Sequence, residues 1–271
     1  MILITGASGN VGQEIAQQLH GQGHKIRVVS RNPGEWPADV EVIAGDLADP
    51  AMMHKALLGV RKAFLMAVPG GESFPAVAKT LGVEHLVFLS SSAVEIGADN
   101  PITRMHSRTE ELIVQSGIPF TFLRPGPFMS NALHWAETIR SERRVRAPYG
   151  DAGLVPIDPR DIAAVAVASL VSSGHEGRIY TLTGPEIMTP ADQVRTIAEV
   201  LNQPIEFDNI AESVAREEMK RYMPEEKVDA VLRIRQAASK QQDVRPTIEE
   251  VTGQAARTFR QFVEDHIDAY R

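Results

Sequence analysis

The chain has 271 residues, 43% of them hydrophobic, which suits one large domain or one domain with a smaller appendage. Its 35 Asp and Glu outweigh 28 Lys and Arg, a formal net charge of −7, so nucleic acid and anionic membranes are not expected partners. Cysteine is absent, which excludes disulfides, thiolate nucleophiles and Cys-ligated zinc, and the eight His show no HExxH spacing that would bind a metal.

The opening MILITGASGNVG lacks a basic leader and is soon broken by glycines, so it reads as a strand rather than a signal peptide. No run approaches the ~20 apolar residues of a membrane helix. A soluble, cytoplasmic protein is expected. Short β-rich runs at 2–5, 25–30, 40–44, 62–67, 85–90 and 120–123 alternate with helical patterns. The first helix, 10–22, carries Val11, Ile15, Ala16 and Leu19 at helical spacing, with Gly21 and Gly23 at its end. Asp49-Pro50 starts another helix, and 105–115 a third that Gly117 stops. Such alternation implies parallel strands joined by right-handed crossovers: an α/β fold with a doubly wound parallel Rossmann sheet. After Arg124-Pro125-Gly126-Pro127 the texture shifts to loop and helix. A run at 153–157, a helix at 159–172 and a strand at 178–182 then bring the chain back to the sheet. Beyond Gly184-Pro185 lie helices at 190–201, 211–222, 225–239 and 254–269. The expected division is a sheet domain over 1–150, then 151–271 as a mixed region returning to the sheet and forming a smaller helix-rich lobe.

Gly6, Gly9 and Gly12 in GASGNVG follow the first strand and open the first helix. With Ser8, Asn10 and Val11 they form a turn suited to a pyrophosphate: glycines for the tight bend and close approach, helix amides and macrodipole for the anion. The spacing is GxxGxxG rather than GxGxxG, since Ser8 replaces the middle glycine of the common form. The second strand ends in Ser30-Arg31-Asn32 with no acid to accept from a ribose 2′-OH. Arg31 suits a 2′-phosphate, so NADP(H) is preferred over NAD(H); a solvated or adenine-stacked Arg31 is the competing reading. Asp46, before Leu47, is a candidate acceptor for the adenine amino group, or simply an acid at a helix start.

GASGNVG, GDL, LSSSA and TEELIVQSGIPFTFLRPGPFMSN, in this order and spacing, resemble the NmrA-like group of atypical short-chain dehydrogenase/reductases. The resemblance continues through Asp161-Ile162-Ala163 and the late segment 252–266. It implies a dinucleotide-binding domain with a small lobe closing a substrate cleft, and His106-x-x-Thr109-Glu110 looks like members that reduce quinones or triphenylmethane dyes with NADPH. Ala67, Val68 and Pro69 are then expected to pass beneath the cofactor. Where the family's Tyr-x-x-x-Lys pair stands, this chain has Ile102 and His106. Ser92 falls at the family's catalytic Ser, without its usual Tyr partner. The stretch from Pro69 to Leu81 looks trimmed.

His106 is therefore the candidate ribose-positioning or proton-donating group, or a structural His, with Glu110 one turn on to orient it or to sit as a core-edge carboxylate. Phe128 and Asn131, after the sixth strand, are expected to line the cleft, whereas Trp135, Tyr149 and Tyr222 line it or pack lobe to lobe. The Arg-rich segment 140–146 reads as solvated. The leading expectation is an NADPH-dependent reductase of a small electrophilic acceptor such as a quinone, monomeric or homodimeric. The alternatives are a catalytically silent NADP(H)-sensing regulator and an epimerase or ketoreductase that tailors a natural product.

Overall fold

Near-continuous apolar strands need cover on both faces, and the first half of the chain provides it by winding helices to alternate sides. The computed structural model describes every residue except 33, 68, 98, 222 and 240–242. In order come β1 (Ile2–Thr5), α1 (Asn10–Gly21), β2 (Ile26–Ser30), β3 (Glu41–Ala44), α2 (Pro50–Leu57), β4 (Lys62–Met66) and α3 (Phe74–Thr80). Next are β5 (His85–Leu89), α4 (Ser92–Ile96), α5 (Pro101–Ser116) and β6 (Phe120–Pro125). A 3₁₀ stretch, Met129–Trp135, leads into α6 (Ala136–Glu142), β7 (Arg144–Ala147), α7 (Pro159–Val171) and β8 (Arg178–Leu182). The rest is α8 (Pro190–Leu201), β9 (Glu206–Asn209), α9 (Glu212–Met219), α10 (Glu225–Ala238), α11 (Thr247–Thr252), α12 (Phe259–Asp265) and α13 (Ile267–Tyr270).

Seven strands form one parallel sheet in the order β3-β2-β1-β4-β5-β6-β8. This is a doubly wound Rossmann-type sheet whose order reverses between β1 and β4. One face is sealed by α1 and α7 through Ile15, Leu19, Ile162 and Val165. The other is sealed by α2, α3 and α5 through Met53, Leu57, Phe74 and Ile113. A third cluster, with Met129, Val145, Ile197, Phe259 and Tyr270, lies outside the sheet. Among the described residues no helix is long and apolar enough to cross a membrane.

The expected strands lie within a residue or two of the observed ones, and the differences elsewhere have local causes. α5 starts at Pro101, not 105, because Asn100 caps it, its side chain accepting from Thr103 N at 3.0 Å. The span 254–269 is not one helix. Gly253 closes α11 in the left-handed conformation (φ +71°). Thr258 and Gln261 then form a reciprocal cap that starts α12. The Arg-rich segment is not merely solvated, since Arg144–Ala147 pairs in parallel with Glu206–Asn209 as a separate two-stranded sheet. The trimmed crossover still holds a helix, α3, of 7 residues. The run 153–157 joins its neighbours by isolated bridges, Leu154 to Met188 and Ile157 to Phe128.

Candidate active site

Because the chain leaves β1 for one face of the sheet and β4 for the other, a crevice opens at their carboxyl ends. Met66 N donates to Thr5 Oγ1 at 2.8 Å and ties the two strand ends together. Gly6 follows at φ +66°, and a Cβ added to it would lie 2.7 Å from Met66 Cε. Gly9 N donates to Gly6 O at 2.9 Å. A Cβ on Gly12 would overlap the Gly6 carbonyl, 2.7 Å from its carbon, where backbone cannot give way. α1 has neither a side-chain cap nor an acid in its first turn, whereas α2 and α7 are capped by Asp49 and Asp158. Its first amides and the positive end of its dipole are left for an anion, and the turn fits a dinucleotide pyrophosphate.

Ser8 is exposed at the rim, its hydroxyl 2.9 Å from that of Ser30 at the end of β2. Arg31, next along, is exposed, and a cleft of about 410 Å³ opens beside Ser8, Asn32 and Trp36. Val11 and Leu47 turn their side chains into opposite cores, leaving only their backbone to a ligand. Asp46 is exposed and accepts from Ala48 N at 3.0 Å, a turn leading into α2. Ala67 lines a second cleft of about 420 Å³ with Met66, Glu72, Arg104 and Met105. Pro69 is exposed, and Val68 lies outside the described residues, as does Tyr222.

His106 shares a face of α5 with Thr103, Glu110 and Ile113, and its ring centroid is 6.0 Å from that of Phe88. Its Nδ1 is sealed from solvent with no hydrogen-bond partner. Burial pushes its pKa below the ordinary value, opposed by the Glu110 charge, so the imidazole is neutral at pH 7. Glu110 does not hold His106 through a hydrogen bond. Its carboxylate accepts from Arg124 Nε at 3.0 Å and Nη2 at 2.6 Å, and from the Ser90 hydroxyl at 2.6 Å. The core-edge alternative describes it, and the cause is Arg124, whose half-buried position on β6 requires a counterion. Ile102, one turn before His106, is part-buried, and α5 contains no Tyr or Lys.

Ser92 opens α4 just after the Ser91 cap and faces a crevice with Gly126, Pro127, Thr181, Thr183 and Arg245. Phe128 is part-buried against the sheet core, and Asn131 is exposed. Asn10 Nδ2 donates to Ser130 Oγ at 3.0 Å, so the glycine turn and the segment bearing Phe128 and Asn131 are brought together. Trp135 packs into the outer cluster, and the Tyr149 hydroxyl donates to Glu212. The sequence reading missed Ser30, Arg245 and the Ser90–Glu110–Arg124 cluster. A charge inside the apolar run FTFLRP was the available signal for the last.

Residues 1–268 match the NmrA-like family. The chain is 41% identical over 280 residues to a (4-alkanoyl-5-oxo-2,5-dihydrofuran-3-yl)methyl phosphate reductase of Streptomyces griseus, covering 100% of this chain and 99% of the relative. It is 32% identical over 285 residues to an NAD(P)H azoreductase of Xenophilus azovorans, covering 100% and 99%. In structure it resembles an NADPH-dependent quinone oxidoreductase from Escherichia coli crystallised with NADPH, at a TM-score of 0.85 and 24% identity over 98% of this chain and 100% of that one. Sequence, over nearly its whole length, and fold agree: the chain belongs to the NmrA-like family.

Proposed function

We propose that this chain is an NADPH-dependent reductase of the atypical short-chain dehydrogenase type, acting on a small electron-poor acceptor such as a quinone. The observation that carries the reading is α5, which presents Ile102 and a neutral, part-buried His106 where a proton relay would stand. NADPH supplies the hydride when bound. In this reading the amides of Asn10, Val11 and Gly12, with Gly6 and Gly9, hold the pyrophosphate. Ser8 and Arg31 take the 2′-phosphate, Asp46 accepts from the adenine amine, and Leu47, Ala67 and Pro69 contribute backbone. His106 donates a hydrogen bond to ribose and acts as a positioning group. Ser92 donates to an oxygen of the acceptor, while Phe128 and Asn131 orient its ring and exclude water.

None of these groups is a strong acid, which limits the substrates. A simple ketone must be protonated as hydride arrives, but a conjugated acceptor spreads the new charge and takes its proton from water. The relatives' names support this: one carries a double bond conjugated to carbonyls, the other an azo group. The same chemistry on an unsaturated lactone is a second reading, favoured by the 41% identity to the furanone reductase. The test is NADPH consumption by the purified protein against quinones, azo dyes and unsaturated lactones, and turnover is expected with at least one class. Tight NADPH binding with every acceptor untouched would overturn the enzyme and favour a nicotinamide-sensing regulator.

A further inference from the structure

A 2′-phosphate brings about two negative charges, so a site built for NADPH alone meets it with cations, whereas the ribose diol of NADH needs only an acceptor for its hydroxyl. The cleft of about 410 Å³ beside Ser8 carries parts of both. One wall is α1, through Gln13, Gln17 and His20, and the other is the loop after β2, through Glu35 and Trp36. That loop is fixed at both ends. Asn32 N donates to Ser30 Oγ at 3.2 Å, and the Ser30 hydroxyl meets that of Ser8 at 2.9 Å. Trp36 is part-buried against the core beneath α1. Between them Gly34 turns the chain at φ +69°, and Glu35 is held at the cleft. Among the described residues no Lys or Arg lines this cleft. His20 is turned to Asp39, its Nε2 3.0 Å from Oδ1. Glu35 is exposed and has no cation paired with it among the described residues, so it leaves the cleft with an unanswered negative charge. Arg31, four residues earlier, is exposed and is not part of the lining.

We infer that Glu35 sets the coenzyme choice: its carboxylate accepts from the ribose 2′-OH of NADH and opposes the 2′-phosphate of NADPH, so the chain uses both coenzymes with a modest preference for NADPH. This rests on the dinucleotide-binding reading and narrows it. One loop offers a guanidinium for the phosphate and, four residues on, a carboxylate for the diol. A carboxylate about 8 Å from a doubly charged phosphate weakens its binding about threefold at low salt, and the effect shrinks as screening rises. Direct contact with Arg31 outweighs this, which keeps the preference on the phosphate side but small.

Fluorescence titration of NADPH and of NADH into wild type, E35Q and E35A at low salt tests this. Wild type is expected to bind both, NADH within about tenfold of NADPH. E35Q keeps an acceptor and loses the charge, so NADPH should tighten about threefold with NADH little changed. E35A loses both, so NADPH should tighten likewise while NADH weakens about threefold. The gain for NADPH should fade at about 0.5 M salt, and a gain that persists there is no charge effect and would overturn the role of Glu35. The same ratio of affinities in all three proteins would overturn it too, as would NADPH binding to wild type with no measurable NADH binding. Binding of neither coenzyme by any of the three would remove the dinucleotide-binding reading itself, and the inference with it.

Discussion

Replacing Gly12 by Ala drives a methyl group into the Gly6 carbonyl, and since both partners are backbone the turn itself must open. Overpacking of this kind costs ~1–3 kcal/mol. It also moves the amides that face the anion, so G12A should weaken NADPH binding by about tenfold or more in a fluorescence titration. Affinity at the wild-type level would show that the phosphates bind elsewhere. R31A is a finer probe: it should weaken NADPH by about tenfold and NADH far less, because the contact proposed for Arg31 is to the 2′-phosphate. Equal losses would return Arg31 to stacking on the adenine. Both residues were legible in the sequence for the same reason. A glycine turn and a strand-end charge are fixed by spacing within a few residues, so no long-range contact need be guessed. His106 was only half legible: its place followed from motif spacing, but its neutrality depends on burial against Phe88, which spacing does not encode.

At the scale of elements, α5 is anchored to β6 by an ion pair of low exposure, with 17% of the Arg124 side chain and 10% of Glu110 open to solvent. E110Q keeps the shape but leaves the Arg124 charge without its partner, and loss of one member of a buried pair costs ~3–5 kcal/mol. The denaturation midpoint should fall accordingly with an unchanged m value, and R124M added to E110Q should restore part of the loss. A cost below ~1 kcal/mol would put the pair with ordinary surface bridges. Here local sequence showed its limits. α1, α5 and α8 announce themselves by apolar spacing, but β7 and β9 do not. RVRA and EFDN are short and polar, and they become strands because each supplies the other's backbone partners across some sixty residues of chain. Their side chains add Arg144 to Glu206 and Asp208, charges that in isolation look solvated.

At the scale of the whole molecule, α7 is the shared spine. Its body packs on α1 and on β4 to β6, while its first turn grips the end of the chain. Asp158 caps the helix by accepting from Arg160 N at 2.8 Å, and it also accepts from Arg257 Nε at 2.8 Å. Asp161 accepts from Arg257 N at 2.8 Å, and Asp265 receives both Arg160 and Arg257. The sequence showed both motifs of this clamp but not that they meet, since residues 161 and 257 are joined only by folding. Burial pushes the Asp161 pKa up from 3.8 to about 6, the neighbouring Asp158 charge adding to it and the Arg257 N–H opposing. The folded state therefore holds this proton more tightly than the unfolded chain. The associated stability is fully present below about pH 4 and is lost as pH rises through about 6, a swing on the order of 3 kcal/mol. D161N keeps an acceptor for Arg257 N and removes the titration. Its Tm relative to wild type should rise between pH 4 and 7 and level off above, after other titrating groups cancel in the difference. A difference that stays flat across that window would mean that Asp161 is ionised at no cost, and that the clamp is held by the Asp158–Arg257 pair alone.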